Sequence, residues 1–356
     1  MRLISKLVFV SFVLTKWKHF NVEHFLKDHC DIDNFIYPDS ESKLRCYDIN
    51  FTINQRFDIQ SKHFIISNSS EVVFSNSEVN PMNDMFFEKF PEAWSMEFIN
   101  STLFLSSNSS NTENHPLETL VIKQSRIIKQ DNPLSKSLIN LEKLIIISSN
   151  FSDSSLDKNF LKFTTNLSRI YIISSNLWSI ENGAFENLSK IEELTIARSF
   201  LIDLPDDIFI NNKFLKRLDM SNDLFEEIPN VNYPESLEEL KIAFNYLRKI
   251  NRKDFKNLMN LKGLQLHGNF IEDFPIDTFW DMDFLEDLVL TKNNIQNISW
   301  KHFAFCDQLE WLDIQENFLK ENALLGSHIA NIRIKPQRQK SVIHRKVYED
   351  FWLLFV

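Results

Sequence analysis

Glycine is nearly missing: the 356-residue chain has 4 glycines and 10 prolines. That is too few for a phosphate-cradling loop, and neither G-x-x-x-x-G-K-[ST] nor G-x-G-x-x-G occurs, which removes the common nucleotide-binding signatures. Cysteine is scarce as well, with 3 residues, so no disulfide-dense scaffold or paired-cysteine zinc frame is available. Positive charge is in deficit. The 39 Lys and Arg against 49 Asp and Glu give a net charge of -10, which argues against nucleic acid as the main partner. No window reaches the ~18 apolar residues of a membrane helix, so no transmembrane segment is expected. No G-x-S-x-G, H-E-x-x-H or nucleophilic-cysteine signature is present, and the chain reads as non-enzymatic, without cofactor or metal.

What the sequence does contain is a repeat. Leu237-Glu-Glu-Leu240-Lys-Ile242-Ala-Phe-Asn245 recurs at Leu261, Leu285 and Leu309, and with drift at Leu215, Ile191, Leu167, Leu141 and Leu117. The period is about 24 residues. Leu103-Phe-Leu105-Ser-Ser-Asn108 imitates the motif, yet a start there leaves too short a repeat, so the frame continues at Ala93 and, in degenerate form, at Ser69. Eleven repeats and a closing strand near Ile332 and Ile334 follow. Positions four and six alternate inward on a short parallel strand, and positions eleven and fourteen extend the core. An aromatic six residues before the next start (Phe185, Phe209, Phe255, Phe279, Phe303) is assigned to the convex side. Position nine reads Ser77, Ser101, Ser125, Ser149, Ser175, Ser199, Asp223, Asn245, Asn269, Asn293 and Asn317. Such side chains satisfy buried backbone groups of neighbouring turns. Serine makes fewer of these bonds than asparagine, so the first half is expected to be looser. One repeat cannot offset the entropy of ordering itself, so stability must come from stacking and from capped ends.

The period, the convex Phe and the ninth-position Asn resemble extracellular leucine-rich repeat proteins. The resemblance implies an α/β solenoid, a curved horseshoe with a parallel concave sheet. More narrowly, Phe185-Glu-Asn-Leu188, Phe255-Lys-Asn-Leu258 and Ala304-Phe-Cys306-Asp-Gln-Leu309 are similar to secreted arthropod proteins described as like the non-catalytic subunit of shrimp luciferase. The cap here is poorer in cysteine than in that pattern, and no cysteine cluster follows the last repeat.

The expected organisation is a signal peptide over 1–20, a cap over 21–68, the array with its closing strand over 69–334, and a tail over 335–356. The signal reading rests on Arg2 and Lys6 ahead of the apolar run Leu7–Leu14. Glycosylation acceptors stand at Asn50, Asn68, Asn100, Asn108, Asn150, Asn166, Asn187 and Asn297. Cys30 and Cys46 could form a disulfide stapling the cap. Together these suggest secretion.

Alternative sites reduce to structural readings. Cys306 falls on a core position. His24, His29, Cys30, Asp31 and Asp33 are the densest potential metal ligands, but the spacing of the two histidines does not align them. His267 sits beside Gly268 as a surface histidine. The basic stretch Lys335, Arg338, Lys340, Arg345 and Lys346, followed by the apolar Phe351–Val356, reads as a solvated tail. On the concave face, positions five and seven turn apolar in the middle repeats: Val121, Ile145, Ile147, Tyr171 and Ile173, bordered by Lys123 and Arg169. An apolar patch with a charged border is expected to bind another protein. The readings that compete with a secreted binding protein are a stabilising subunit of a secreted enzyme complex and an intracellular scaffold.

Overall fold

The computed structural model describes residues 30–31, 43–52, 58–67 and 71–338, apart from 88–89, 91–92, 107–113, 130–132, 321–323, 325–328 and 336; before residue 71 it describes backbone only. Each repeat contributes a concave strand, the repeats starting at Ala93, Leu117 and Leu141 add a second, and with the strands before residue 71 they stack into an 18-stranded sheet. The chain opens antiparallel. Strand β1 (Cys30–Asp31) pairs with β2 (Lys43–Thr52), β2 with β3 (Asp58–Ser67), and β3 with β4 (Glu71–Met82). From β4 onward every pairing is parallel, ending at Asn331–Arg333 beside Trp311–Asp313. The antiparallel strands cover the backbone donors and acceptors that β4 would otherwise present as an open edge.

The frame read from sequence is the one the backbone follows. Strands begin two residues after each start, at Ser95, Thr119, Lys143, Arg169, Glu193, Arg217, Glu239, Gly263, Asp287 and Trp311. Fourth and sixth residues such as Leu120/Ile122 and Leu144/Ile146 are fully buried. Leu103, the false start, belongs to a second parallel ladder with Ile127 and Phe151, all buried core. The return segments are single turns: an α-helical one at Asp84–Phe87 and 3₁₀ turns at Lys136–Asn140, Arg252–Phe255 and Trp300–Phe303. Their Phe residues form the convex spine, with Phe185 on Phe209 at 6.1 Å and Phe279 on Phe303 at 6.0 Å, both stacked. The 22-residue repeat starting at Leu215 substitutes Val231 and Tyr233, both buried.

The ninth-position ladder takes two forms. In the serine half, the hydroxyls of Ser101, Ser125 and Ser149 accept from the backbone N–H of the preceding serine at 3.0–3.1 Å. Each then donates to the carbonyl two residues before it. In the asparagine half, Asn269 Oδ1 accepts from the N–H of Asn245 and of Leu247, and its Nδ2 donates to Ile242 and Leu266 carbonyls. The serine half is not looser in its backbone. Its concave strands run five residues, as in Lys143–Ile147, against three in Glu239–Lys241 and later repeats, and the second ladder accompanies it. Fewer side-chain bonds are offset by more strand pairing.

Two details lie beyond the sequence reading. The residue after each seventh position turns left-handed, from Asn76 to Glu316, closing the strand. Glycine takes that place once, at Gly268; bulky residues elsewhere, Phe244 above all, carry the strain. At the far end, Gln337 Oε1 accepts from Leu319 N–H and its Nε2 donates to the Ile314 carbonyl. It repeats the asparagine role, so the ladder continues past residue 334. Among the described residues, no helix is long and apolar enough to cross a membrane.

Candidate concave interface

Residues at positions three, five and seven leave the sheet on the side away from the core, because strand side chains alternate. Pairing sets them in rows. The fifth-position row runs Glu97, Val121, Ile145, Tyr171, Thr195 and Asp219; the seventh runs Ile99, Lys123, Ile147, Ile173 and Ala197. Val121, Ile145, Ile147, Tyr171 and Ile173 are therefore contiguous, and all are half-buried. Arg169 is exposed beside Lys143 on the third-position row. The sequence-derived residues thus meet on one face.

Charged neighbours are held in place around them. Lys123 Nζ lies 2.6 Å from Glu97, which ties it to the patch border. Lys143 Nζ sits 5.6 Å from the centre of the Tyr171 ring. The Tyr171 hydroxyl bonds Glu193, which also accepts from Arg217 at 3.0 Å. Partial burial, then Glu193, pushes the Tyr171 phenol above its ordinary value, so it stays a hydrogen-bond donor. Along the sheet edge, Lys216–Glu192 and Lys262–Glu238 pair one repeat apart at 3.4 and 2.9 Å; such exposed pairs add little stability.

The other sequence candidates separate cleanly. Cys306 is buried, its thiol faces the Phe279 carbonyl at 3.4 Å, and burial pushes its pKa up to about 12. It is a core thiol. Cys30 lies directly opposite Cys46 in the antiparallel register. Asn100, Asn150 and Asn297 are exposed, and Asn166 and Asn187 half-buried; Asn50 is on β2, while Asn68 and Asn108 are outside the described residues. His24, His29, Asp33, Lys340, Arg345, Lys346 and Phe351–Val356 are also outside them. Among the described residues no group of three His, Cys, Asp or Glu side chains could hold a metal ion. Lys335 and Arg338 are exposed, and the Arg338 N–H donates to the Asn317 carbonyl, which attaches this part of the tail to the last repeat.

Sequence reasoning missed two groups. His115 is buried, with Nε2 on the Phe90 carbonyl at 2.8 Å and Nδ1 accepting from Leu117 N–H at 3.1 Å. Both nitrogens are committed to backbone. The nearby Asp84, Ser135 and Ser137 bond one another, so this polar cluster holds two turns together rather than presenting a nucleophile. Lys129 is fully buried between the Phe151 and Phe160 rings and meets Asp153 at 3.1 Å and Asp157 at 2.8 Å.

Comparison with known proteins agrees with the architecture. A leucine rich repeat model matches residues 235–290, and a BspA type leucine rich repeat region model matches 136–246. Podocan of Mus musculus is 33% identical over 97 residues, 27% of this chain and 16% of podocan. Human lumican is 24% identical over 183 residues, covering 44% of this chain and 53% of lumican. Toll-like receptor 9 of Sus scrofa is 31% identical over 121 residues, 30% of this chain and 12% of the receptor. The matched stretches thus span about half or less of these relatives. A chain of the TLR13–ssRNA13 complex superposes with a TM-score of 0.55 at 17% identity, covering 73% of this chain and 45% of that one. One from the octameric complex of Latrophilin 3, Unc5D and FLRT2 (LRR) gives 0.53 at 19%, covering 65% and 78%. The chain carries leucine-rich repeats on a parallel-sheet solenoid fold.

Proposed function

We propose that this chain is a secreted, non-catalytic binding protein whose concave sheet docks another protein on Val121, Ile145, Ile147, Tyr171 and Ile173, with Lys123 and Arg169 at the border. The observation that carries this reading is a change along one row. Val121, Ile145 and Tyr171 occupy the fifth position where Glu97 precedes and Thr195, Asp219, Lys241 and Gln265 follow. Strand propensity acts on every repeat alike, so it does not account for a local apolar block on a solvent-facing side. The octameric complex containing FLRT2 (LRR) is an example of this fold in a protein assembly. Cys30 opposite Cys46 and the exposed acceptors Asn100, Asn150 and Asn297 support secretion, with a cap disulfide and N-glycans.

The test is a double variant. Tyr171→Ala with Ile145→Ser should weaken partner binding by ~2 kcal/mol or more with circular dichroism unchanged. Undiminished affinity would move the contact off this face. The alternatives, a stabilising subunit as in the shrimp luciferase resemblance and an intracellular scaffold, are tested by pull-down from native fluid and by expression in a secretory host, respectively. A stabilising subunit recovers an unrelated catalytic chain in fixed stoichiometry. A scaffold stays in the cells, unglycosylated and with free thiols.

A further inference from the structure

Charges on the concave sheet mostly stand beside their opposites. Along the third-position row, register sets Arg169 beside Glu193, Glu193 beside Arg217 and Arg217 beside Glu239. On the fifth-position row Asp219 stands opposite Lys241. One pair breaks the alternation: Lys143 lies directly opposite Arg169. Like charges facing one another across a ladder are destabilising, so the free sheet carries a cost here that its other charged neighbours avoid.

The carboxylates that could offset this pair are committed or lie elsewhere. Glu193 accepts from Arg217 at 3.0 Å and bonds the Tyr171 hydroxyl, and Glu97 holds Lys123 at 2.6 Å. Glu118 and Glu142, at the second position of their repeats, are exposed and make no ion pair with either cation. Lys143 lies over the Tyr171 ring, and Arg169 is exposed. With the Lys123–Glu97 and Arg217–Glu193 pairs set apart, Lys143 and Arg169 are the charges left over on this part of the face. They adjoin Ile145, Tyr171, Ile147 and Ile173 on the same two strands.

We propose that Lys143 and Arg169 receive an acidic side chain of the partner polypeptide, an aspartate or glutamate carried between apolar residues that lie on Ile145, Ile147 and Ile173. This rests on the concave-face reading and deepens it by giving the partner's chemistry. A carboxylate between the two cations relieves their repulsion only in the complex, which turns a cost of the free sheet into a preference for an anionic partner. A polypeptide fits this surface better than a sulfated glycan, because a single pair of cations borders an aliphatic patch that a sugar chain would leave unused.

The experiment uses the purified full chain and short synthetic peptides in which one glutamate is set among leucine and phenylalanine, each with a twin carrying glutamine instead. The glutamate peptide should bind about fivefold tighter than its twin at low salt, and the gap should close as NaCl is added. Lys143→Gln with Arg169→Gln should abolish the gap, leave the glutamine twin bound as before, and hold or raise the melting temperature of the free chain, since a repulsion is removed. Lys262→Gln, at a paired position on the sheet edge, should keep the gap. Equal binding of the twins to the parent chain, no binding by either, or a gap that survives the Lys143 and Arg169 double variant would overturn the proposal. Capture of a heparin oligosaccharide in preference to the glutamate peptide would overturn it as well. Glutamine twins insensitive to Tyr171→Ala with Ile145→Ser would instead overturn the concave-face reading and leave the charge preference standing by itself.

Discussion

Asp223 stands where the ladder changes from serine to asparagine. Its Oδ1 accepts from Ser199 and Leu201 N–H, but Oδ2 is buried without a partner. Burial pushes its pKa up to about 8, with Asp219 adding to the effect against those two hydrogen bonds. The folded chain therefore holds a proton that the unfolded chain, with a value near 3.8, releases, and stability falls as pH rises through that window. Asp223→Asn supplies the missing donor and removes the titration. Thermal melts should show the variant gaining on the parent steadily from pH 4 to about pH 8; a constant difference would contradict the assignment. Lys129 has the opposite logic. Burial alone would raise the Asp157 carboxyl, but the hydrogen bond and charge of Lys129 outweigh it and hold it below the ordinary range. Lys129→Met leaves that carboxylate with only the Asn159 and Phe160 N–H donors and should cost about 3 kcal/mol in chemical denaturation, with Asp157→Asn in the same chain recovering part of it. Neither effect was legible in sequence: position nine names the ladder, not its dryness, and Lys129 looks like any surface lysine until Phe151 and Phe160 close over it.

At the scale of elements, the repeat frame was legible because the apolar period is strict where strands must bury Leu and Ile. The start at Ala93 could be chosen over the imitation at Leu103 on length alone. The second ladder was not legible, since Leu103, Ile127 and Phe151 read equally well as core residues under a loop. Gln337 escaped notice for a similar reason: one residue type did the work of another, at the right position but after the pattern had faded. The antiparallel strands β1 to β3 shield the edge of β4. A chain beginning at Glu71 would expose the full edge of β4, and it should self-associate in sedimentation experiments while the intact chain does not.

Over the whole molecule, one frame yields two different surfaces on one sheet. The repeats starting at Leu117, Leu141 and Leu167 present branched aliphatic residues around Tyr171; those starting at Leu215, Leu237 and Leu261 present small residues and charges of both signs around Phe244. The first was readable from positions five and seven. The second was not, because its cause is the left-handed backbone of Phe244 and, one repeat away, Gly268, where a Cβ would overlap the Phe244 ring. Site-specific photo-crosslinking tests the functional claim most directly. A photoreactive side chain is placed at Ile145 or Tyr171 on the concave face, or at the exposed Lys301 on a convex turn, and the full chain is illuminated in its native fluid. The account predicts the same discrete adduct from both concave positions and none from Lys301. An adduct from Lys301 alone would contradict it.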